Sequence, residues 1–103
     1  MNKSIKNNED HLDVMRKIRN QPHLSQRDMA KELGFSLGKL NYCLNELRKK
    51  GFVKMSNFRK SKNKFRYFYV LTPAGITAKT KLTINFMKRK MKEYDELKQE
   101  INK

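Results

Sequence analysis

The stretch that decides the fold is residues 25–50, which read SQRDMAKELGFSLGKLNYCLNELRKK. A first short helix is predicted to follow Ser25, whose hydroxyl can cap the free backbone N–H groups at the helix start. It should end at Gly34, because glycine takes the left-handed conformation of a helix C-cap at no steric cost. A second helix is predicted from Ser36 to about Lys50. Two short helices joined by a tight turn are typical of a helix-turn-helix.

Leucine spacing predicts which face of the second helix is buried. Leu40, Leu44 and Leu47 recur at intervals of four and three residues, so they should pack together into a core. The opposite face then carries two amides and a phenol, with Lys39 at its near end. This outward face is polar, and the single acid beside it is Glu46 on its flank.

Charge and its distribution favour a polyanionic partner. The chain has 103 residues, with 25 Lys+Arg against 10 Asp+Glu, and its formal net charge is +15. No acid occurs from Leu47 to Lys92, a span that holds 15 Lys or Arg. Such an excess points to nucleic acid or to an acidic membrane surface. The plain alternative is a Lys- and Asn-rich composition that serves solubility alone.

After Gly51 the apolar period changes from about 3.6 to 2, which is typical of β-strands. Residues 52–59 (FVKMSNFR) and 64–71 (KFRYFYVL) are rich in aromatic and β-branched side chains, and the polar turn 60–63 lies between them. The two segments predict a hairpin whose basic tip, residues 59–64, would be a wing. A charged turn that prevents edge-to-edge aggregation is the alternative interpretation of that tip.

The pair Thr72-Pro73 predicts the start of the last helix, with Thr as the cap and Pro at the first helical position. The helical pattern continues to about Glu100, and Gly75 is predicted to be a weak point in it. A helix of this length spans about 40 Å, so its second half should project from the domain or find a partner. The predicted dimerisation residues recur at threes and fours: Phe86, Met87, Met91, Tyr94, Leu97 and Ile101. A lone helix folded back on its own domain is the alternative.

The element order predicts a mainly α fold with a small β-hairpin: a winged helix-turn-helix domain followed by a long C-terminal helix. In this fold the second helix of the pair, residues 36–50, enters the major groove of double-stranded DNA. We divide the chain into a flexible basic arm (1–8), a DNA-binding domain (9–72) and a C-terminal helix that forms a dimer (73–103). We expect a sequence-specific DNA-binding regulator of transcription.

The side chains of the predicted interface fall into two sets with different roles. Amides can bond bidentately to adenine, while lysine and tyrosine can reach guanine, phosphate or a thymine methyl group. The predicted base readers are Lys39, Asn41, Tyr42 and Asn45. The predicted backbone and wing contacts are Ser25, Arg27, Ser36, Arg48, Arg59, Lys60, Lys62 and Lys64.

Other classes of protein have less support in the sequence. His11 and His23 have no metal-ligand spacing to each other or to Cys43, and no catalytic pattern is found, so neither a metal, a cofactor nor enzyme activity is expected. The lone Cys43 fits a cytoplasmic protein and is interpreted as a buried small hydrophobe. No apolar run reaches the length of a membrane span, so no membrane partner is expected. Two rivals stay open: an RNA or single-strand binder that stacks bases on the aromatic strands, and a non-catalytic protein-interaction adaptor.

Four pieces of the sequence resemble one known family: SLGKLNYCL, KGFVK, LTPAGI and FMKRKMKEYDEL. They are similar to winged-helix regulators of the MarR type, in particular to the MarR family EPS-associated transcriptional regulators, which are linked by name to exopolysaccharide genes. The resemblance covers roughly residues 12–97. It implies a bacterial, nucleoid-associated transcriptional regulator that binds DNA as a homodimer. The groove-facing positions of the family match Ser36, Leu37, Lys39, Asn41, Tyr42 and Asn45, and its wing matches residues 59–64.

One departure from this family concerns the N-terminus. Larger MarR proteins build their dimer, and a small-ligand pocket, from helices at both ends of the chain. Here the N-terminal extension is predicted to be too short for such a helix, which makes a small-molecule effector doubtful. The dimer would then rest mainly on residues 86–101.

Overall fold

The computed structural model describes the backbone of residues 3–61 and 64–102, and the side chains of residues 6–56 and 68–102. Within the described residues, four helices and one two-stranded sheet follow one another. They are α1 (Lys3–Asn20), α2 (Gln26–Leu33), α3 (Leu37–Lys49), β1 (Val53–Ser61), β2 (Lys64–Leu71) and α4 (Pro73–Ile101). The predicted mainly α fold with a hairpin and a long last helix is confirmed.

The core lies where α1, α2 and α3 meet the start of β1. The leucine stripe predicted in α3 is buried there, together with residues from the other three elements. The buried apolar residues are Leu12, Val14, Met15, Ile18, Met29, Ala30, Leu40, Cys43, Leu44, Leu47 and Val53.

Local capping fixes the helix pair as the sequence predicts. The Ser25 hydroxyl accepts the backbone N–H of Asp28 at 3.1 Å, and the Ser36 hydroxyl accepts that of Lys39 at 3.0 Å. Gly34 closes α2 with φ of 73°, a left-handed conformation that favours glycine. Each cap satisfies backbone groups that the helix itself leaves free, so the turn between α2 and α3 has a defined geometry.

The first helix begins earlier than predicted. Residues 3–8, which we expected to be part of a loose basic arm, form the first turns of α1. No proline or glycine interrupts residues 3–20, so nothing in this stretch prevents the helix from starting at Lys3. Further along α1, the Glu9 carboxylate lies 3.1 Å from the Arg89 guanidinium of α4. The other part of the predicted arm, residues 1 and 2, lies outside the described residues.

The hairpin is antiparallel, and its register runs from Val53 opposite Leu71 to Ser61 opposite Lys64. β1 therefore includes residues 60 and 61, which the sequence assigns to the turn. A register irregularity between Arg59 and Ser61 accommodates an extra residue, and pairing then continues beyond it. The other two turn residues, 62 and 63, lie outside the described part of the chain.

Gly75 in the first turn of α4 is a close contact and not a weak point. A Cβ atom built on it would overlap the carbonyl oxygen of Phe52 and lie 2.8 Å from the carbonyl carbon, which no side chain could tolerate. Thr72 fixes the same junction: its hydroxyl accepts from the Gly75 N–H at 3.0 Å and donates to the carbonyl of Gly51. The start of α4 is thereby held against the chain that leads into the hairpin.

The far half of α4 extends beyond the domain. The molecule measures 67 Å along its longest axis and only 26 and 22 Å across it. Leu82 still packs against the core, and Phe86 is half-buried, but every residue from Lys90 to Asn102 is exposed. The predicted projection of the second half of this helix is confirmed.

Candidate nucleic-acid interface

The outward face of α3 presents three of the four predicted base readers. Leu40, Leu44 and Leu47 are at most 1% exposed and hold the helix by the opposite side. Asn41, Tyr42 and Asn45 are exposed, and Tyr42 retains 54% of its surface. Two amides and a phenol thus lie together on a face that nothing in the described part of the domain covers.

The structure separates Lys39 from the other three predicted base readers. Its ammonium lies 3.3 Å from the Asp10 carboxylate of α1 and 4.1 Å from the centre of the Phe35 ring. These contacts hold the side chain on the flank of α3 that faces α1. Contact with a base would require Lys39 to leave both partners, so its role as a reader stays a prediction.

Lys49 is a residue that the sequence reasoning missed. It follows Asn45 by four positions, its side chain is exposed, and Asn45, Arg48 and Lys49 line one shallow, open depression. Its ammonium lies 3.9 Å from the Glu46 carboxylate, a long and solvent-exposed pairing. Helical spacing alone could have identified it, because it lies on the same face as Tyr42 and Asn45.

Leu37 and Gly38 lie beside these polar residues at the start of α3. Leu37 is exposed, and a Cβ on Gly38 would meet nothing nearer than the Ser36 hydroxyl at 4.0 Å. A leucine here could contact a thymine methyl group, while glycine leaves space for close approach of a nucleic-acid backbone. The start of α3 therefore offers an apolar side chain for contact with a base and, at Gly38, free space for a nucleic-acid backbone.

The predicted backbone contacts of the helix pair are exposed. Ser25 and Ser36 cap α2 and α3, and the free N–H groups at these two helix starts carry partial positive charge that suits phosphate. Arg27 and Arg48 are exposed on α2 and α3. The two helix starts and the two guanidinium groups can therefore all bind phosphates of a nucleic-acid backbone.

The structure describes the backbone of the two wing strands, and a hydrogen bond joins the base of the wing to α2. Arg59, Lys60 and Lys64 lie in the strands, but their side chains, and all of Lys62, lie outside the described residues. Their predicted contacts therefore stay predictions. At the base, Gln26 of α2 donates a hydrogen bond to the Tyr69 hydroxyl at 3.2 Å.

The aromatic residues at the base of the wing belong to the domain. Tyr69 and Leu71 pack against the core, and the Phe68 ring lies 5.2 Å from that of His23. Phe68, Tyr69 and Leu71 are all partly buried, which leaves little of their surface for stacking of bases. The base of the hairpin therefore works as a support for the wing.

Three acids of the domain are paired away from the outward face of α3, while Glu46 lies on the flank of that face, 3.9 Å from the Lys49 ammonium. Asp10 pairs with Lys39, Glu9 with Arg89, and Glu32 with Lys17 at 2.8 Å, all on the sides of the domain that α1 covers. The exposed outward positions of α3 described above carry amides, a phenol and cations. This face therefore suits a polyanion.

Two buried groups have shifted pKa values. Burial raises the pKa of the Cys43 thiol, so the thiol stays protonated and behaves as a core side chain, as predicted. Burial, with a smaller contribution from Lys50, lowers the pKa of His11, whose Nε2 atom has no hydrogen-bond partner among the described residues. His11 lines a cavity of about 200 Å³ that also touches Leu82 of α4. Both groups belong to the interior and not to the outward face.

The described residues form neither a metal site nor a membrane span. No group of three or more His, Cys, Asp or Glu side chains is placed to hold a metal ion. No helix in the described ranges is long and apolar enough to cross a membrane.

Residues 11–54 match a family described as winged helix-turn-helix DNA-binding. The match runs from α1 through the helix pair to the start of β1, and so includes the whole outward face of α3. The search of curated proteins found no match.

Solved structures share the fold over most of the chain. The PcaV transcriptional regulator from Streptomyces coelicolor is 16% identical with a TM-score of 0.64, over 77% of this chain and 55% of PcaV. MepR from S. aureus in its DNA complex is 19% identical with a TM-score of 0.66, over 85% of this chain and 63% of MepR. A MarR family transcription regulator, SP03579, is 13% identical with a TM-score of 0.63, over 89% of this chain and 67% of that protein.

These likenesses establish a winged helix-turn-helix that resembles those of MarR-type regulators, as the sequence predicted. The chain spans only about 55–64% of the length of the PcaV and MepR chains that it matches. None of the comparisons concerns the exopolysaccharide-associated group.

Proposed function

We propose that this protein is a sequence-specific, double-stranded DNA-binding regulator of transcription. The observation that carries the proposal is the outward face of α3, where Asn41, Tyr42 and Asn45 are exposed beside one another on a helix whose other side is locked into the core. An α-helix fits the major groove, and asparagine amides can bond adenine bidentately there. The match of residues 11–54 to a DNA-binding family and the fold shared with the MepR–DNA complex support the same function.

Affinity and sequence choice would come from different parts of the molecule. The capped starts of α2 and α3, with Arg27 and Arg48, would hold phosphates and orient the domain. The wing cations, residues 59–64, would lie on the backbone or in the minor groove. Asn41, Tyr42 and Asn45 would read base edges, joined by Lys39 if it releases Asp10.

The regulator would act as a homodimer through the far half of α4. Met87, Met91, Tyr94, Leu97 and Ile101 are all exposed on that segment. Five large apolar side chains on one projecting helix are costly to leave in water. Two DNA-binding domains in one dimer would recognise two half-sites about 34 Å apart.

The cellular setting follows from this function and from the family resemblance. A DNA-binding regulator of bacterial type would reside in the cytoplasm, associated with the nucleoid. The resemblance of SLGKLNYCL and FMKRKMKEYDEL to the EPS-associated group suggests genes linked to exopolysaccharide as its targets.

The test compares one base reader with one wing cation. Asn41→Ala should reduce the preference for a selected duplex over random duplex by about 1–3 kcal/mol. Lys62→Ala should weaken binding to every sequence and lower the slope of log affinity against log salt by about one unit. Fluorescence anisotropy titrations at several salt concentrations measure both quantities.

Asn85→Ala is the matched control, since it removes the same amide from an exposed site on α4. It should change neither the preference nor the salt slope. Equal losses of Asn41→Ala and Lys62→Ala on selected and random duplex would contradict the assigned roles. Stronger competition by single-stranded nucleic acid than by duplex would overturn the proposed function in favour of a single-strand binder.

A further inference from the structure

An apolar stripe runs along the exposed half of α4. Its members retain between 46% and 82% of their surface. They are Ile84, Met87, Met91, Tyr94, Leu97 and Ile101. A stripe this long, on a segment that leaves the domain, requires a partner of similar length, and another copy of the same helix has that length.

The spacing of the stripe fits an antiparallel pair of helices with a defined register. Ile84, Met91 and Lys98 fall at the first core position of a heptad, and Met87, Tyr94 and Ile101 fall at the second. In an antiparallel pair each first position faces a second position of the other helix. Ile84 then meets Ile101, Met91 meets Tyr94, and the Lys98 stem covers Met87. All three layers share one centre, between Lys92 and Glu93.

The distribution of charge along α4 also favours an antiparallel pair. The segment 88–92 carries four cations, and the segment 93–100 carries four acids and one lysine. An antiparallel pair centred between them places each basic segment against the acidic segment of the other copy. A parallel pair would instead set four cations beside four cations and Lys98 beside Lys98 in the core layer, which like-charge repulsion disfavours.

One flanking pair gives the arrangement a specific contact. Lys88 and Asp95 both follow a second core position, so they occupy the same edge of the helix. In the antiparallel register Lys88 of one copy lies beside Asp95 of the other, twice by symmetry. In a parallel pair Lys88 would face the uncharged Thr83. Lys88 therefore distinguishes the two directions.

The register also sets the separation of the two points at which α4 leaves its DNA-binding domain. Leu82 is the last α4 residue that packs against the core, and it lies between ten and eleven positions before the proposed centre. At a rise of 1.5 Å per residue, the two Leu82 residues would be about 32 Å apart along the helix axis. Half-sites on one face of DNA are about 34 Å apart.

We propose that two copies of this chain pair through antiparallel α4 helices centred between Lys92 and Glu93, with Lys88 and Asp95 joined across the seam. The proposal rests on the homodimer of the proposed function and specifies its geometry. It also assigns a function to the acids after residue 92, which the DNA interface does not use.

Cysteine cross-linking tests the direction of the helices. Ile84→Cys and Ile101→Cys are prepared separately, and each is oxidised alone and as an equimolar mixture after subunit exchange under reducing conditions. In the proposed register the two thiols introduced at position 84 would be about 25 Å apart along the axis, far beyond the reach of a disulfide. We expect a disulfide-linked dimer only in the mixture. The unaltered chain is the control, because its Cys43 is buried.

Each outcome of this experiment has a distinct meaning. A cross-link in Ile101→Cys alone indicates parallel helices and overturns the proposal. A dimer in sedimentation that gives no cross-link in any sample places the seam elsewhere and also overturns it. A monomer in sedimentation at tens of micromolar removes the homodimer itself, while DNA binding by the same sample would still support the outward face of α3.

Charge reversal tests the specific contact. Lys88→Glu should raise the dimer dissociation constant about five- to tenfold, because it creates two like-charge pairs with Asp95. Adding Asp95→Lys should restore dimerisation close to that of the unaltered chain. An Asp95→Lys addition that weakens the dimer further would overturn the pairing of residues 88 and 95.

Discussion

The helices α3 and α4 are both amphipathic, but they use their apolar sides in opposite ways. In α3 the leucine stripe is buried within the domain, and the outward side is polar and exposed. In the far half of α4 the apolar stripe from Met87 to Ile101 is itself exposed. The apolar side of α3 is fully packed within the domain. The far half of α4, in contrast, carries apolar side chains that nothing in the described part of this chain covers.

The contrast explains why one helix suits DNA and the other suits a second protein molecule. A helix locked into the core by one side can present polar groups at fixed positions, and fixed positions are needed to discriminate between bases. An exposed apolar stripe gains free energy by burial and discriminates little between surfaces except through its flanking charges. Sequence choice is therefore expected from α3 and assembly from α4.

Matched truncations in the two helices should give the largest difference. Leu44→Ala removes a buried side chain from α3 and should lower the free energy of unfolding by about 2–5 kcal/mol. Met91→Ala removes an exposed side chain from α4 and should change the stability of the monomer by less than about 0.5 kcal/mol. Urea denaturation at a low protein concentration measures both values. Equal losses would mean that the far half of α4 is packed against the domain.

Substitution of one glycine in each of the two helices should give a smaller difference in stability, with opposite signs. Gly75→Ala forces a Cβ into the Phe52 carbonyl at the start of α4 and should destabilise the fold by about 1–3 kcal/mol. Gly38→Ala on the exposed side of α3 meets only open space and should stabilise the helix by about 0.4–1 kcal/mol. Thermal unfolding followed by circular dichroism reports both signs. A stabilising effect of Gly75→Ala would refute the close contact between α4 and Phe52, just before β1.

The smallest predicted effect concerns His11, at the place where α4 joins the core. Because its pKa is lowered in the folded state, the folded ring stays neutral while the unfolded ring takes up a proton as the pH falls below 6.5. The stability present above pH 6.5 should therefore be lost progressively below it. His11→Gln should remove this part of the pH dependence, so that its unfolding free energy falls less steeply on acidification. Parallel slopes for the two proteins would show that His11 does not titrate differently on folding.

Much of this arrangement could be predicted from the sequence because its determinants are local. Ser25, Gly34 and Ser36 define the helix pair through caps within a few residues of each other. The positions of Leu40 and Leu44 define the buried side of α3 through helical spacing alone. Such features depend on nearby residues and on the spacing of apolar side chains, and not on which other element packs against the helix.

The remaining features depend on partners distant in the sequence. The Asp10 carboxylate that holds Lys39 comes from another helix, so no spacing within α3 reveals it. The close contact of Gly75 depends on the backbone of Phe52. Local propensity predicted a weak point at Gly75, and tertiary packing decided otherwise.

Selection of duplexes from a random pool tests most directly the claim that the outward face of α3 reads DNA sequence. The unaltered protein and Asn41→Ala are each used to retain DNA, and the retained molecules are sequenced. The account predicts that the unaltered protein enriches one motif, with half-sites about 34 Å apart, and that Asn41→Ala relaxes the choice at particular positions of it. Enrichment of no motif, or of the same motif with equal stringency by both proteins, would contradict it.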